Sequence, residues 1–174
     1  MIQKLQKENA MRNRITTNLW FNNCAEEAVQ YYLSIFLDGK IIRKDFYTSS
    51  GEEITGHKEN ELLTIEFEIL HTRFIAINAG PEFAFNPSIS FMIRCADQKE
   101  INYYWQKLSS STQDEQCGWC KDQFGISWQI VPTILEEMLR NGNGVQRKNV
   151  TEAFMKMKKL DIQQLKEAYK NLAL

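Results

Sequence analysis

The sequence predicts an α+β fold built from two similar halves, each a strand, a helix and further strands, closed by a helical tail. Three observations carry this. Residues 62–70 alternate without a break, with Leu63, Ile65, Phe67 and Ile69 set against Thr64, Glu66 and Glu68, the period-two signature of a strand with one buried face. The same order of elements occurs twice: laying Tyr31-Tyr32 over Tyr103-Tyr104 brings Leu19 over Phe91, Val29 over Ile101 and Phe36 over Leu108. Beyond residue 133 the alternation stops, and Phe154, Met157, Leu160, Ile162, Leu165 and Tyr169 recur at helical spacing.

Residues 1–14 form a polar arm, with Ile2, Leu5 and Met11 as its apolar residues. In the first half, 15–22 reads as a strand with Leu19 and Phe21 on one face and Asn18 and Trp20 on the other. Residues 25–36 read as a helix with Ala28, Val29, Tyr32, Leu33 and Phe36 at core spacing. A strand at 40–47, a polar loop at 48–60 and strands at 62–70 and 73–78 follow, and Ala79-Gly80-Pro81 ends the half.

In the second half, 88–95 reads as a strand and 97–109 as a helix that Asp97 can cap. Shorter strands fall around 116–121 and 127–131, joined by the turn 122–125; a strand between 109 and 115 is barely signalled. The tail holds a short helix at 136–140, the turn Asn141-Gly-Asn-Gly144, and helices at 150–160 and 161–172, the last capped by Asp161. The expected organisation is an arm at 1–14, a domain at 15–133 with halves of about 15–80 and 88–133, and a tail at 134–174. Neither half can bury both faces of its own sheet, so the halves are expected to pair.

Composition excludes several classes of partner. The 174 residues carry a formal net charge of -1, with both signs interspersed, so no basic stripe points to nucleic acid or anionic lipid. No apolar run reaches the roughly 20 residues that span a bilayer, and residues 1–14 lack the apolar stretch of a signal peptide. A cytoplasmic location is expected, with the four cysteines reduced.

Several runs together resemble a known family. They are Asn18-Leu-Trp-Phe, Ala25-Glu-Glu-Ala-Val-Gln-Tyr-Tyr-Leu-Ser-Ile-Phe36, Ala79-Gly-Pro81, Ile89-Ser-Phe91, Tyr103-Tyr-Trp-Gln-Lys-Leu108, Gln116-Cys-Gly-Trp119, Lys121-Asp122 and Phe124-Gly-Ile-Ser-Trp-Gln-Ile-Val-Pro132. The tail segment Met155-Lys-Met-Lys-Lys-Leu-Asp-Ile162 joins them. In this order, over about residues 15–170, they resemble the PhnB-like proteins of the glyoxalase/vicinal-oxygen-chelate superfamily, often labelled 3-demethylubiquinone-9 3-methyltransferase-like. The resemblance implies paired βαβββ modules forming a cup, completed in a homodimer. The methyltransferase label finds no support in the residues. The doubly wound type needs a glycine-rich strand-to-helix turn, and the eight glycines are scattered.

Enzymes of this superfamily hold a divalent metal with His, Glu or Gln, two ligands from each half. At the corresponding positions this sequence offers Thr16 or Thr17, Asn78, Ser88 or Ser90, and Gln129. Hydroxyls and amides are poor ligands for a transition metal, so neither a metal nor another cofactor is expected. The two histidines, His57 and His71, fall in a loop and a turn and are expected to be solvated.

Three functions stay open. One is a cup binding a small organic ligand through Asn18, Trp20, Asn78, Ser90, Met92, Trp119 and Gln129, with Cys117 on its wall. Another is a metal-free or atypical enzyme for a small oxygenated or electrophilic substrate, using Glu66 as a base or Cys117 as a nucleophile. The third is a dimeric interaction protein docking through its tail. Cys117-Gly-Trp-Cys120 resembles a thioredoxin-like redox motif, but that chemistry needs a helix N-terminus. Here the motif falls in a strand whose alternation points the two thiols apart.

Overall fold

A computed structural model describes residues 15–171. Its contacts fall into two compact units dividing between Ala84 and Phe85.

The first unit is one complete βαβββ module. Strand β1 (Thr17–Asn22) leads into helix α1 (Ala25–Ile35), followed by β2 (Lys40–Phe46), a short helix α2 (Glu52–Thr55), β3 (Leu62–Ile69) and β4 (Thr72–Ala79). The sheet order is β1-β4-β3-β2, with β1 parallel to β4 and the other pairs antiparallel. The period-two pattern decides which face is covered. Leu19, Phe21, Ile65, Phe67, Phe74 and Ala76 are buried against Ala28, Val29, Tyr32 and Ile35 of α1. Each such aliphatic or aromatic side chain withdrawn from water contributes about 1.5–3 kcal/mol. The opposite face carries Asn18, Trp20, Thr64, Glu66, Glu68 and Arg73.

The second unit repeats the plan with one strand fewer. Strand β5 (Ser90–Cys95) leads into α3 (Gln98–Leu108), then β6 (Trp119–Lys121) and β7 (Ser127–Pro132), in the order β5-β7-β6. Where a strand was barely signalled, Thr112–Asp114 forms a single 3-10 turn. The segment is almost wholly polar, and its groups bond locally: Ser110 N donates to Lys121 O at 2.9 Å, and the Ser109 hydroxyl to Glu115 at 2.7 Å. Asp97 caps α3 by accepting from Glu100 N, as its position predicts.

The tail forms α4 (Thr133–Asn141), α5 (Gly144–Phe154) and α6 (Ile162–Lys170). Helix α5 begins six residues before the 150 that apolar spacing suggests. The reason is a capping box, in which Asn143 accepts from Gln146 N while the Gln146 side chain accepts from Asn143 N, each at 3.0 Å. The stretch from Met155 to Leu160 is then not helical and is free to lie along the turn before β6. The tail belongs to the core of the second unit, since Val150, Leu160 and Leu165 are buried with Val131, Leu135 and Met138.

Candidate functional site

In the first unit, register across the uncovered sheet face runs Asn18–Ile75–Glu66–Arg43 in one row and Trp20–Ile77–Thr64–Asp45 in the next. Asn18 turns its amide to Thr16 O at 3.1 Å. Trp20 donates its indole N–H to Gly80 O at 2.9 Å and sets its ring edge-on to Phe83, with centroids 5.0 Å apart. Glu66 sits in a chain of ion pairs: Arg73 reaches Glu66 at 3.3 Å and Glu68 at 3.6 Å, and Lys40 reaches Glu68 at 3.0 Å. The Lys40 hydrogen bond, aided by the charges of Lys40 and Arg73, holds the Glu68 carboxyl below its ordinary range. The Glu66 carboxylate is thus engaged by the Arg73 guanidinium, which it shares with Glu68.

Asn78 lies on the other face. It is paired with Phe21 and alternates with Phe74 and Ala76, so its side chain points towards the helix. Its Oδ1 accepts from Ala25 N at 3.0 Å and its Nδ2 donates to Leu62 O at 3.3 Å. Cys24, at the N-cap of α1, makes no side-chain cap bond, and Asn78 supplies an acceptor from the neighbouring strand.

Near the same strand end stands a cluster that sequence reasoning missed. Tyr47 donates its hydroxyl to Asn78 O at 3.0 Å and stacks on His57 with centroids 4.4 Å apart. His57 Nδ1 lies 3.0 Å from Glu61, and only 15% of the His57 side chain is exposed, so this histidine is not the solvated loop residue expected. The His57 hydrogen bond draws the Glu61 carboxyl down, while burial, then Glu61 and Glu82, push the Tyr47 phenol up. The one sequence signal was the i,i+4 spacing of His57 and Glu61, which says nothing of Tyr47.

In the second unit the uncovered face carries Ser90, Met92 and Arg94 from β5, Gln129 from β7, and Trp119 and Lys121 from β6. Register sets Met92, Gln129 and Trp119 side by side. Gln129 Nε2 donates to Ser90 Oγ at 2.8 Å. Beside Trp119 opens a cleft of about 460 Å³ lined by Pro87, Gln113, Asp114, Gln116, Cys117 and Trp119. The unit thus gathers Ser90, Met92, Trp119, Gln129 and Cys117, while Asn18, Trp20 and Glu66 share the uncovered face of the first unit.

Cys117 reaches its place by leaving the strand. It and Gly118 have φ of 52° and 85°, the two consecutive left-handed residues of a type I′ turn between Gln116 and Trp119. Cys117 N donates to Met157 O at 2.8 Å and Gly118 N to Lys158 O at 2.7 Å, and the Cys117 sulfur lies 3.8 Å from Met155 Sδ. Cys120 is buried on the helix-covered face. Burial, aided by the charges of Asp122 and Glu115, pushes its thiol up to about 12.

Among the described residues no group of three or more His, Cys, Asp or Glu side chains is arranged to hold a metal ion. The family profile described as 3-demethylubiquinone-9 3-methyltransferase matches residues 13–131, well over half of the chain. The chain belongs to this family. As a PhnB-like protein it has the glyoxalase/vicinal-oxygen-chelate fold that the sequence motifs imply, with a reduced second module. It is similar to a solved structure described as a putative 3-demethylubiquinone-9 3-methyltransferase, PhnB protein, from Bacillus cereus. The two are 28% identical, with 70% of this chain and 100% of that chain covered, at a TM-score of 0.56. A protein from Pseudomonas aeruginosa is 16% identical over 68% of this chain and 96% of its own, at a TM-score of 0.50. A fosfomycin resistance protein from Listeria monocytogenes is 14% identical over 73% and 96%, at 0.41. No curated protein gives a significant match.

Proposed function

We propose that this PhnB-like protein binds a small organic ligand on the uncovered sheet face of its second module, without the metal usual in the superfamily. The observation that carries the reading is the row Met92–Gln129–Trp119, one apolar, one hydrogen-bonding and one aromatic side chain, opening beside the cleft of about 460 Å³. Small-ligand sites combine an apolar or aromatic wall with a few placed polar groups in this way.

The donor set does not fit a divalent transition metal. Asn78 spends its amide on Ala25 and Leu62, and Gln129 and Ser90 are hydrogen-bonded to each other. These are neutral groups, where imidazole or carboxylate would be needed. Methyl transfer of the doubly wound type has no support either, because β1 passes into α1 through Asn22-Asn23-Cys24, with no glycine to cradle a cofactor. Glu66 is engaged by Arg73 and the Cys117 sulfur lies against Met155, so this reading assigns a catalytic role to neither.

The same reading holds the protein to be a cytoplasmic homodimer. No helix among the described residues is long and apolar enough to cross a membrane, and Phe83 and Ile89, 66% and 71% exposed, are apolar surface a second copy would cover. Sedimentation of the purified chain tests the dimer. A thermal-shift screen of small metabolites on the wild type and Trp119→Ala tests the site. Saturable shifts that Trp119→Ala abolishes are expected. A stoichiometric transition metal in freshly purified protein, or ligands indifferent to Trp119, would overturn the proposal.

A further inference from the structure

The chemistry of the Met92–Gln129–Trp119 row points to a class of ligand. The row itself is uncharged. The two cations that flank it on these strands are both matched by carboxylates: Arg94 Nε meets Glu136 at 3.1 and 3.2 Å, and Lys121 Nζ meets Asp114 at 2.7 Å. The Lys121 hydrogen bond in turn keeps the Asp114 carboxyl below its ordinary range, so the cleft wall keeps its negative charge at neutral pH. An anion entering here meets a carboxylate and no cation without one. A cation meets one already satisfied carboxylate and a neutral row.

Within the row, hydrogen bonding has a direction. Gln129 Nε2 donates to Ser90 Oγ, so the Ser90 hydroxyl proton must point away from Gln129, and Gln129 Oε1 remains an acceptor beside it. Neither the proton nor Oε1 has another partner among the described residues. A donor next to an acceptor is the complement of a carboxamide, whose carbonyl takes the serine proton while its N–H meets the glutamine oxygen. A carboxylate presents two acceptors and an amidinium two donors, and each leaves one group on the protein unpaired.

Building on the small-ligand reading above, we infer that this site takes uncharged planar ligands bearing a carboxamide or lactam, stacked against Trp119, in preference to carboxylates or amidines. Benzamide, benzoate and benzamidine are near-isosteric and separate the three cases. Titrated into the full chain and followed by ligand-observed NMR, benzamide binds about tenfold more tightly than either of the others, the ratio expected when one hydrogen bond is replaced by an unpaired group. Gln129→Glu turns the acceptor into an anion and lets benzamidine overtake benzamide. Ser90→Ala removes the donor that tells a carbonyl from an N–H and erases the preference for benzamide over benzamidine while keeping that over benzoate, and it carries the test should Gln129→Glu fail to fold.

Benzoate or benzamidine binding as tightly as benzamide to the wild type overturns the carboxamide assignment and leaves a small-ligand site standing. The same holds if none of the three binds while the metabolite screen finds ligands that depend on Trp119. Failure of both experiments overturns both readings.

Discussion

The carboxylate of Asp122 and the indole of Trp128 are joined by a buried hydrogen bond of 2.8 Å, while the other Asp122 oxygen accepts from Phe124 N at 2.9 Å and Ile126 N at 3.0 Å. Asp122 is 2% exposed. A charge so deep is tolerable only because donors saturate it. The residue closes the β6–β7 hairpin and sets where β7, with Gln129, begins. Asp122→Ala would take this acceptor from three N–H groups, two of them in buried bonds, and is expected to cost about 3 kcal/mol, read from urea unfolding. A loss below about 1 kcal/mol would mean that water replaces the carboxylate.

This bond also shows what could be read in the chain and what could not. Alternation disclosed which strand faces are covered, because burying one face is a local property of period two. Asp122 was legible as a turn residue, but its bond to Trp128 exists only once the hairpin has formed. Asn78 reads as a lining residue from its family position; the phase of β4, set by Phe74 and Ala76, turns it to the helix, where an uncapped N-terminus uses it. The start of α5 is not carried by apolar spacing at all: it is set by the polar Asn143–Gln146 capping pair, six residues ahead of the first apolar-periodic position.

Acid stability follows from three carboxylates. Glu61, Glu68 and Asp114 are all held below their ordinary values, by hydrogen bonds from His57, Lys40 and Lys121 respectively. The folded chain therefore binds fewer protons than the unfolded chain as the pH approaches 4.5, the ordinary Glu value. Their contribution is complete above that pH and is lost as pH falls through the lowered folded values. Thermal midpoints are expected to hold down to about pH 5 and decline below it. Lys40→Met should make the decline shallower, because Glu68 loses its leading partner. An unchanged acid profile in that variant would mean the pair contributes nothing, as many exposed pairs do.

The four thiols should separate under alkylation. Burial pushes Cys95 and Cys120 up to about 12 and raises Cys24 more modestly. The thiolate is the reacting species, so at pH 8 Cys95 and Cys120 are expected to resist iodoacetamide until the chain unfolds. Cys117, on the cleft wall, reacts first and Cys24 more slowly. Peptide mass spectrometry over a time course reads the order. Rapid labelling of Cys120, or a Cys117–Cys120 disulfide under mild oxidation, would contradict the opposed placement of these two residues.

The turn between Gln116 and Trp119 makes opposite predictions for its two central residues. At Gly118, with φ of 85°, an added Cβ would lie 3.0 Å from Ile130 O and 3.1 Å from Leu160 Cδ1. Gly118→Ala therefore combines backbone strain with a clash against a rigid carbonyl and is expected to cost about 2–3 kcal/mol. At Cys117, with φ of 52°, the side chain occupies a left-handed position that asparagine tolerates better, and Asn-Gly is the preferred pair for a type I′ turn. Cys117→Asn is expected to raise stability by up to about 1 kcal/mol, provided the backbone bonds to Met157 and Lys158 persist. A destabilised Cys117→Asn chain would show that the contact between the Cys117 and Met155 sulfurs outweighs the relief of strain.

Gln98 and Leu160 explain why the tail should not be removable. Gln98 Nε2 donates to Leu160 O at 3.1 Å and its Oε1 accepts from Ile162 N at 2.9 Å, so one amide side chain completes two backbone groups at the entrance to α6. Leu160 itself is fully buried among Val131, Leu135, Met138, Val150 and Leu165. It also touches the position where Gly118 leaves room. Leu160→Ala should cost about 2–5 kcal/mol through lost burial and a residual cavity. Gln98→Ala should cost about 1–3 kcal/mol by unpairing the two backbone groups. Because both residues secure the segment that receives the Cys117–Gly118 turn, and that turn fixes Trp119, either variant should also weaken any ligand that depends on Trp119. The check is to measure stability and binding together. Loss of stability with unchanged Trp119-dependent affinity would separate the tail from the site.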